Sequence, residues 1–291
     1  MCTFELNQDH TEKICTRAPQ GLNTKHVGIM VLPVEVGDAA MRCEPADSAR
    51  VQAWLDSGGD VNDITWDGFT LLNCCASAHY EINGAHISLA RTLIALGADV
   101  NIGDGYRSTP LHNACLGHGV ASLDMIRLLL DAKANPNAKD EYGRNVGGVN
   151  NLHMKTTPLF HAIHSIVPPH YESPHYEFRP RITRILLRAG ASLDSCNTDE
   201  TIEEVMQARE TTAPALLESD HWLATKALIA DVRKHGTYKK YMRAPHRDVL
   251  TMRGLAQRGK LQTDHRALSF LAMQGDNGIV WNILSYWRAT N

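Results

Sequence analysis

The chain has 291 residues, of which 43% are hydrophobic and 21% are charged, a composition typical of folded proteins and a length sufficient to bury a sizeable core. Its longest apolar run, VGIMVLPV at 27–34, is well short of the ~20 residues that a membrane-spanning helix needs. Residues 1–13 carry acids where a secretory signal has a basic flank and an apolar core, so we expect a cytoplasmic or nuclear protein with no membrane insertion.

The seven cysteines have no paired spacing of the C-x-x-C type. An odd number of cysteines without such pairs favours reduced thiols over a disulfide framework, which agrees with the expected location. The cysteines are Cys2, Cys15, Cys43, Cys74, Cys75, Cys115 and Cys196.

The net charge of −3 hides an uneven distribution along the chain. Residues 221–291 contain 12 Lys and Arg against 4 Asp, a net charge of +8, whereas residues 1–220 contain 17 basic and 28 acidic residues, a net charge of −11. The two parts either pack together or are solvated separately; alternatively, the basic part binds an acidic protein or nucleic acid. A nucleic-acid partner is left open by this pattern but is not favoured by it.

The N-terminal residues 1–47 show no helical period, and HVGIMVLPVEVGD at 26–38 predicts an extended segment. A helical pattern begins at Ala46-Asp47-Ser48, which we interpret as half of a repeated unit. The buried side of this helix is predicted to carry Val51, Trp54 and Leu55.

Four similar stretches then recur along the chain, each with an aliphatic pair, small residues and a terminal Asn or Asp. A glycine at the small position, such as Gly97 or Gly190, suits the left-handed turn that ends a helix; Lys133 occupies that position in one copy. Each stretch therefore predicts a helix that runs into a turn. The stretches are QAWLDSGGDVN (52–62), TLIALGADVN (92–101), LLLDAKANPN (128–137) and ILLRAGASLD (185–194).

A second landmark lies eight positions after Asn62 and again eight positions after Asn101. It begins with Thr70, Thr109 or Thr157, and threonine is suited to cap a helix while the proline that follows two of them fits the first helical position. The constant distance predicts a fixed hairpin before each helix. The inward-facing residues of the best copy are predicted to be Leu111, Ala114 and Cys115, followed in the next helix by Met125, Leu128 and Leu129.

These features resemble the ankyrin repeat, a 33-residue unit of two antiparallel helices and a β-turn with the mark T-P-L-H-x-A. The nearest copy is residues 104–137, and the resemblance covers about residues 48–194. It implies an all-α solenoid of helix pairs with β-hairpin turns, in which His112 ties the turns of adjacent repeats together. Because one pair cannot bury its own apolar face, neighbouring pairs must stack.

The repeats depart from the family pattern in two insertions, 141–155 and 164–181. Insertions in such arrays map to surface loops, often on the binding face. The second insertion is rich in histidine, which leaves open a metal site and a metal-dependent enzyme, but a solvated polar loop is favoured because no matching carboxylate or thiol is placed nearby. The histidines are His161, His164, His170 and His175.

The C-terminal part is predicted to be helical. Residues 195–236 are interpreted as a degenerate repeat with capping helices, and 237–291 as a basic helical tail. The tail either caps the stack or, since it resembles SOCS-box and F-box segments, serves as the adaptor of a cullin ubiquitin ligase; Gly254 stands where the SOCS pattern has Cys. The longer helix of residues 195–236 is predicted to carry Trp222, Leu223, Ala227, Leu228 and Val232 on its apolar side.

No catalytic or cofactor-binding motif is complete in this sequence. GLAQRGKL at 254–261 matches the phosphate-binding G-x-x-x-x-G-K loop, but Leu261 replaces the Ser or Thr that binds magnesium. We therefore expect no enzyme activity, no cofactor, no bound metal and no small-molecule substrate.

The resemblance to ankyrin repeats implies a scaffold that binds a protein partner, through its hairpin tips and the exposed side of the first helix of each pair. Trp, Tyr and Arg dominate contact energy at such surfaces. Packing between adjacent hairpins is an equally good explanation of the aromatic residues of the first hairpin. The predicted contact residues are Trp66, Phe69, Cys74, Tyr106, Arg107, Asn113, Tyr142, Arg144, His161 and His164.

Overall fold

The computed structural model describes residues 4–6, 13–15, 31–77, 82–117, 119–141, 155–164, 178–194 and 200–260. The chain divides into two compact units, 1–223 and 224–291. None of the helices in the described ranges is long and apolar enough to cross a membrane.

The first unit is built mainly from short helices. Near its start, strands β1 (Phe4–Leu6) and β2 (Lys13–Cys15) pair in antiparallel fashion. The helices that follow are α1 Val34–Arg42, α2 Pro45–Asp56, α3 Leu71–Ala76, α4 Gly84–Ala95, α5 Pro110–Leu116, α6 Val120–Asp131, α7 Pro158–His164, α8 Arg179–Arg188, α9 Ile202–Thr212 and the 3-10 helix Pro214–Glu218.

Consecutive helices form antiparallel pairs, and the pairs are stacked in chain order. The first helices α1, α3, α5, α7 and α9 each pack against the next, and the second helices α4, α6 and α8 do the same. The predicted all-α stack of helix pairs is therefore confirmed, with short hairpins between the pairs such as the bridge of Ile64 with Thr70.

The N-terminal part of the stack differs from the prediction. Residues 34–42 form helix α1, where the sequence pattern predicted an extended segment up to residue 38 and no helix before residue 46. The buried face of α1 includes Val36, Ala39 and Ala40, and small alanines at helical spacing give a weak hydrophobic signal beside the alternating VLPVEV. With α1 present, α2 belongs to a complete pair instead of a half repeat; Val51 is fully buried, while Trp54 and Leu55 are half-buried.

The helix starts predicted at threonine are confirmed. The Thr70 hydroxyl accepts a hydrogen bond from the Asn73 backbone N–H at 3.2 Å. At Thr109 the His112 ring caps the helix, because Nδ1 accepts from the Thr109 backbone N–H at 3.1 Å. Helix α7 follows Thr157 directly.

The core of the best copy is also as predicted. The side chains of Leu111, Ala114 and Cys115 are fully buried, and so are Met125 and Leu129 of the next helix. Leu128 is only half-buried, since it lies at the margin of the inner face of α6.

The turns that end the second helices are left-handed, as predicted from their glycines. The φ angles are 96° at Gly97 and 98° at Gly190. Lys133, at the corresponding position, has φ 72°, so this copy keeps the turn despite the steric cost of a Cβ there.

Three of the four recurring stretches end in an asparagine that bonds to the next repeat, a role that the sequence did not reveal. Asn62 Oδ1 accepts from the Asp99 backbone N–H at 2.8 Å. Asn101 Oδ1 accepts from the Asn135 N–H at 2.8 Å, and Asn137 Oδ1 accepts from the Ser192 N–H at 2.8 Å. These side chains form a ladder across successive turns, which explains why the stretch ends on the same residue type three times.

Two long helices span the C-terminal part of the described chain, α10 (Asp220–His235) and α11 (Tyr238–Gln257), and the unit boundary falls within the range of α10. Of the residues predicted on the apolar side of α10, Trp222, Leu228 and Val232 are buried. Leu223 and Ala227 are exposed, whereas Thr225 and Ile229 are buried, so the buried face of α10 is rotated relative to the predicted one. The tail segment 261–291 lies outside the described residues.

Candidate protein-binding surface

The first hairpin presents Trp66 at a fixed tip. The Thr65 backbone N–H donates to the Phe69 carbonyl at 2.9 Å, and the Gly68 N–H donates to the Thr65 carbonyl at 2.8 Å. Gly68 has φ 84°, a conformation that glycine adopts without steric cost. Trp66 is 65% exposed at this tip, and Phe69 is half-buried beneath it.

The second hairpin repeats the same bonds with different residues. The Asp104 N–H donates to the Ser108 carbonyl at 3.0 Å, and the Arg107 N–H donates to the Asp104 carbonyl at 2.7 Å. Arg107 takes the place of Gly68 and has φ 61°. Its guanidinium lies 3.1 Å from the Glu141 carboxylate, and its neighbour Tyr106 is 49% exposed.

Backbone hydrogen bonds join the tips of successive hairpins. The Gly105 N–H donates to the Asp67 carbonyl at 3.0 Å, and the Glu141 N–H donates to the Tyr106 carbonyl at 2.7 Å. A Cβ at Gly105 would lie 2.7 Å from the Asp67 oxygen, so only glycine permits this approach. We call the resulting surface the tip row. It consists of Trp66, Asp67, Tyr106, Arg107 and Glu141.

A small cleft of about 70 Å³ opens between helix α1 and the first hairpin, beside Trp66. We call it the Trp66 cleft. Its lining combines apolar side chains with Thr65 and two carboxylates, and partial burial raises the pKa of one of these carboxylates, Asp67. The lining residues are Val34, Gly37, Asp38, Met41, Thr65, Trp66, Asp67 and Phe69.

Four of these lining residues lie on α1, which the sequence pattern did not identify as a helix. Val34, Asp38 and Met41 follow the spacing i, i+4, i+7 that places side chains on one helix face. Helix α1 could have been predicted from this spacing, but the alternating apolar pattern of the preceding residues favoured an extended segment.

The prediction that Cys74 contacts a partner is wrong. Its side chain is fully buried, because α1 packs against α3 and covers this face of the helix. A Cβ at Gly37 of α1 would lie 3.6 Å from the Cys74 sulfur. Burial raises the pKa of the Cys74 thiol to about 12, so the group is a neutral part of the core.

The prediction that His161 contacts a partner is also wrong, because this side chain is only 7% exposed. His161 Nε2 donates to Asp140 Oδ2 at 2.7 Å. The same carboxylate accepts from the Ser108 hydroxyl at 3.0 Å and from the Thr156 backbone N–H at 3.1 Å. We call Ser108, Asp140, Thr156 and His161 the Asp140 cluster; it joins the second and third hairpins to α7.

The motif histidine His112 extends this cluster, as the resemblance implied. Since its Nδ1 accepts from Thr109, its Nε2 carries the proton and donates to the Thr156 carbonyl at 3.2 Å. The rings of His112 and His161 meet edge to face, with centroids 5.3 Å apart. The histidines thus tie neighbouring repeats together.

Burial and charge shift several pKa values here. Burial alone would raise the pKa of Asp140, but the hydrogen bond and charge of His161 outweigh it and hold that pKa well below its usual range. Burial and the nearby charge of His161 together lower the pKa of His112 to about 4. Burial also raises the pKa of Asp104 to about 6, despite hydrogen bonds from the Ser108 and Tyr106 backbone.

The structure describes only some of the remaining residues that were predicted to contact a partner. Asn113 of α5 is half-buried, and its Nδ2 is buried without a hydrogen-bond partner among the described residues. Tyr142 and Arg144 lie outside the described residues, and His164 ends α7 with a side chain that is not described. Of the described chain, no group of three or more His, Cys, Asp or Glu residues is placed to hold a metal ion; His170 and His175 fall outside it.

Two comparisons with known proteins agree with this architecture. A family model for ankyrin repeats matches residues 39–140 with three copies. A mouse (Mus musculus) protein, "Ankyrin repeat and SOCS box protein 16", is 31% identical over an alignment of 174 residues that covers 55% of this chain and 38% of that relative. The predicted resemblance to ankyrin repeats is confirmed over residues 39–140, and the chain spans well under two thirds of the length of this curated relative.

Proposed function

We propose that this ankyrin-repeat chain is a non-enzymatic scaffold of the cytoplasm or nucleus that binds a partner protein through its tip row. The observation that carries the proposal is the set of backbone bonds between hairpin tips, Gly105 to Asp67 and Glu141 to Tyr106. A surface held in this way loses little conformational entropy when a partner binds. It also displays Trp66, Tyr106 and Arg107, and these residue types dominate interface energies.

The backbone of Arg107 supports the same proposal. A left-handed conformation costs a residue with a Cβ about 1–2 kcal/mol, and the first hairpin avoids this cost with Gly68. A strained residue in an exposed turn is common where function depends on its side chain. The exposed ion pair with Glu141 stabilises the fold little, which leaves partner contact as the better reason for an arginine at this position.

The proposal is tested on a partner recovered by affinity purification and mass spectrometry and then purified. The double variant Tyr106→Ala, Arg107→Ala should weaken binding at least about tenfold, as expected when two contact residues are truncated. Its melting temperature should change little, because both side chains are exposed. Leu96→Ala, at another exposed apolar residue, is the matched control; equal affinity of the double variant and this control would place the binding site elsewhere.

A second function is supported by the name of the mouse relative, which includes a SOCS box. In this proposal the repeats recruit a substrate and residues 237–291 attach the chain to a cullin ubiquitin ligase. Within this segment, the described helix α11 ends in the residues that resemble a SOCS box, with Gly254 in place of the expected cysteine. The identity and the share of the relative that is covered are low, so the scaffold remains the first proposal.

The adaptor proposal has a direct test. The 291-residue chain and a version that lacks residues 237–291 are each purified from cells, and cullin subunits are measured in both. The proposal expects cullin with the 291-residue chain and none with the truncated chain, provided that circular dichroism shows the repeats still folded. Absence of cullin from the 291-residue sample would exclude this function.

A further inference from the structure

The Trp66 cleft is sized for one side chain. Its volume of about 70 Å³ is far below the 300–1,000 Å³ of typical ligand and cofactor pockets. Its frame is rigid, because the hairpin bonds of Thr65 and the bond from Gly105 to Asp67 fix the wall that carries Trp66. An occupant therefore enters as a single residue of a longer segment, and the cleft does not have to reorganise to admit it.

The charges around the cleft are of one sign. Asp38 lies on the α1 side and Asp67 on the hairpin side, and the lining contains no basic residue. Arg42, the basic residue of α1, is already bonded to Asp47 at 3.1 Å. The whole described stretch 31–77 has 8 acidic and 2 basic residues, so the local field attracts a cation.

The apolar lining residues further restrict the type of side chain that fits the cleft. Val34, Met41 and Phe69 suit an aliphatic stem, while the exposed face of the Trp66 indole attracts a cation placed over it. A planar guanidinium stacks on an indole and forms paired hydrogen bonds with carboxylates, which the compact, strongly hydrated ammonium of lysine does not.

We propose that the Trp66 cleft binds an arginine side chain from a basic segment of the partner protein, between Trp66 and the carboxylates of Asp38 and Asp67. This inference rests on the proposed function, since it names the chemistry of the partner that the scaffold takes. It concerns the first hairpin and α1, whereas the proposed function is tested at Tyr106 and Arg107.

The probe is a short synthetic peptide, acetyl-Gly-Ser-Arg-Ser-Gly-amide, compared with analogues in which the arginine is replaced by citrulline or by lysine. Binding to the full chain is followed by NMR through the Trp66 indole N–H signal, assigned by its loss in Trp66→Phe. The arginine peptide should shift this signal with a dissociation constant in the millimolar range, and added salt should weaken the binding. Citrulline keeps the shape but removes the charge, and should bind about tenfold more weakly; lysine should fall between the two.

Variants then locate the site. Asp38→Asn and Asp67→Asn should each weaken the arginine peptide several-fold, while Asp131→Asn, at an exposed carboxylate of α6, should not. An indole signal that does not move below about 10 mM peptide, or equal binding of arginine and citrulline, would overturn the inference. In that case, weaker partner binding by the Tyr106, Arg107 double variant would leave the proposed function intact. The reverse pattern would support the cleft and confine the partner's contacts in the tip row to Trp66 and Asp67.

Discussion

His161 Nε2 lies 2.7 Å from Asp140 Oδ2, and both side chains are buried. The carboxylate also accepts from Ser108 and Thr156, so one buried charge is bonded by groups from two hairpins and one helix. A buried carboxylate bonded in this way stabilises the fold only while its hydrogen-bond partners are present. Loss of the carboxylate or of a partner leaves the remaining groups buried without a hydrogen bond. The Asp140 cluster is therefore the polar link that joins the second, third and fourth helix pairs.

Asp140→Ala should destabilise the first unit by about 3–5 kcal/mol, since the change leaves several buried donors unpaired at once. The free energy of unfolding from urea titrations checks this value. Glu141→Gln is the matched control one residue away, because it removes only an exposed ion pair with Arg107 and should cost less than about 1 kcal/mol. Similar losses for the two variants would show that the cluster contributes little.

The pH dependence of stability should reveal two opposed titrations. The pKa of His112 falls to about 4 in the fold, so between pH 6.5 and 4 the unfolded chain binds the extra proton and stability falls as pH falls. The pKa of Asp104 rises to about 6, so between about pH 4 and 6 the folded chain binds the extra proton and stability rises as pH falls. The two effects partly cancel in the wild type.

Asp104→Asn removes the second effect and keeps an oxygen that accepts from Tyr106 and Ser108. This variant should be more stable than the wild type at pH 7, by up to about 3 kcal/mol, and should lose stability more steeply between pH 6.5 and 4. Chemical denaturation at a series of pH values measures both. A variant whose profile runs parallel to that of the wild type would mean that Asp104 does not titrate in this range.

The turn at Lys133 offers a backbone test. Lys133→Gly should stabilise the protein by about 0.5–1 kcal/mol, since glycine removes the cost of a left-handed Cβ but adds disorder to the unfolded chain. The reciprocal change Gly97→Ala should destabilise by about 1 kcal/mol; a Cβ there meets no atom within 4 Å, so only the backbone is strained. Thermal melting of both variants should show shifts of opposite sign, and shifts of the same sign would contradict this account.

The asparagine ladder also predicts a loss of stability when one of its side chains is truncated. Asn101→Ala removes the bond to the Asn135 N–H and a longer one to the Lys133 carbonyl at 3.4 Å, and should cost about 1 kcal/mol. Gln52→Ala removes a side-chain bond to Asp56 within one exposed helix and should cost less than about 0.5 kcal/mol. Urea titration distinguishes the two, and an equal effect would argue against coupling of repeats through the ladder.

Local signals in the sequence were sufficient for the positions of several helix ends. Thr70 and Thr109 mark where helices begin, and Gly97 and Gly190 mark where they end, because caps and left-handed turns depend on residues within a few positions of each other. Helix α1 was missed, since its buried face is formed largely by alanines and its start is preceded by an alternating apolar run. Hydrophobic periodicity does not reveal a helix whose buried face is made of small residues.

The sequence by itself determined that helix pairs recur, where their hairpins lie and that neighbouring pairs must cover each other. Only the tertiary structure decided which side chains remain available to a partner. Cys74 is covered by a helix more than thirty residues earlier in the chain, and His161 is drawn inward by Asp140, which lies on a separate hairpin. Exposure depends on what other segments place over a residue, and its own neighbours in the sequence do not carry that information.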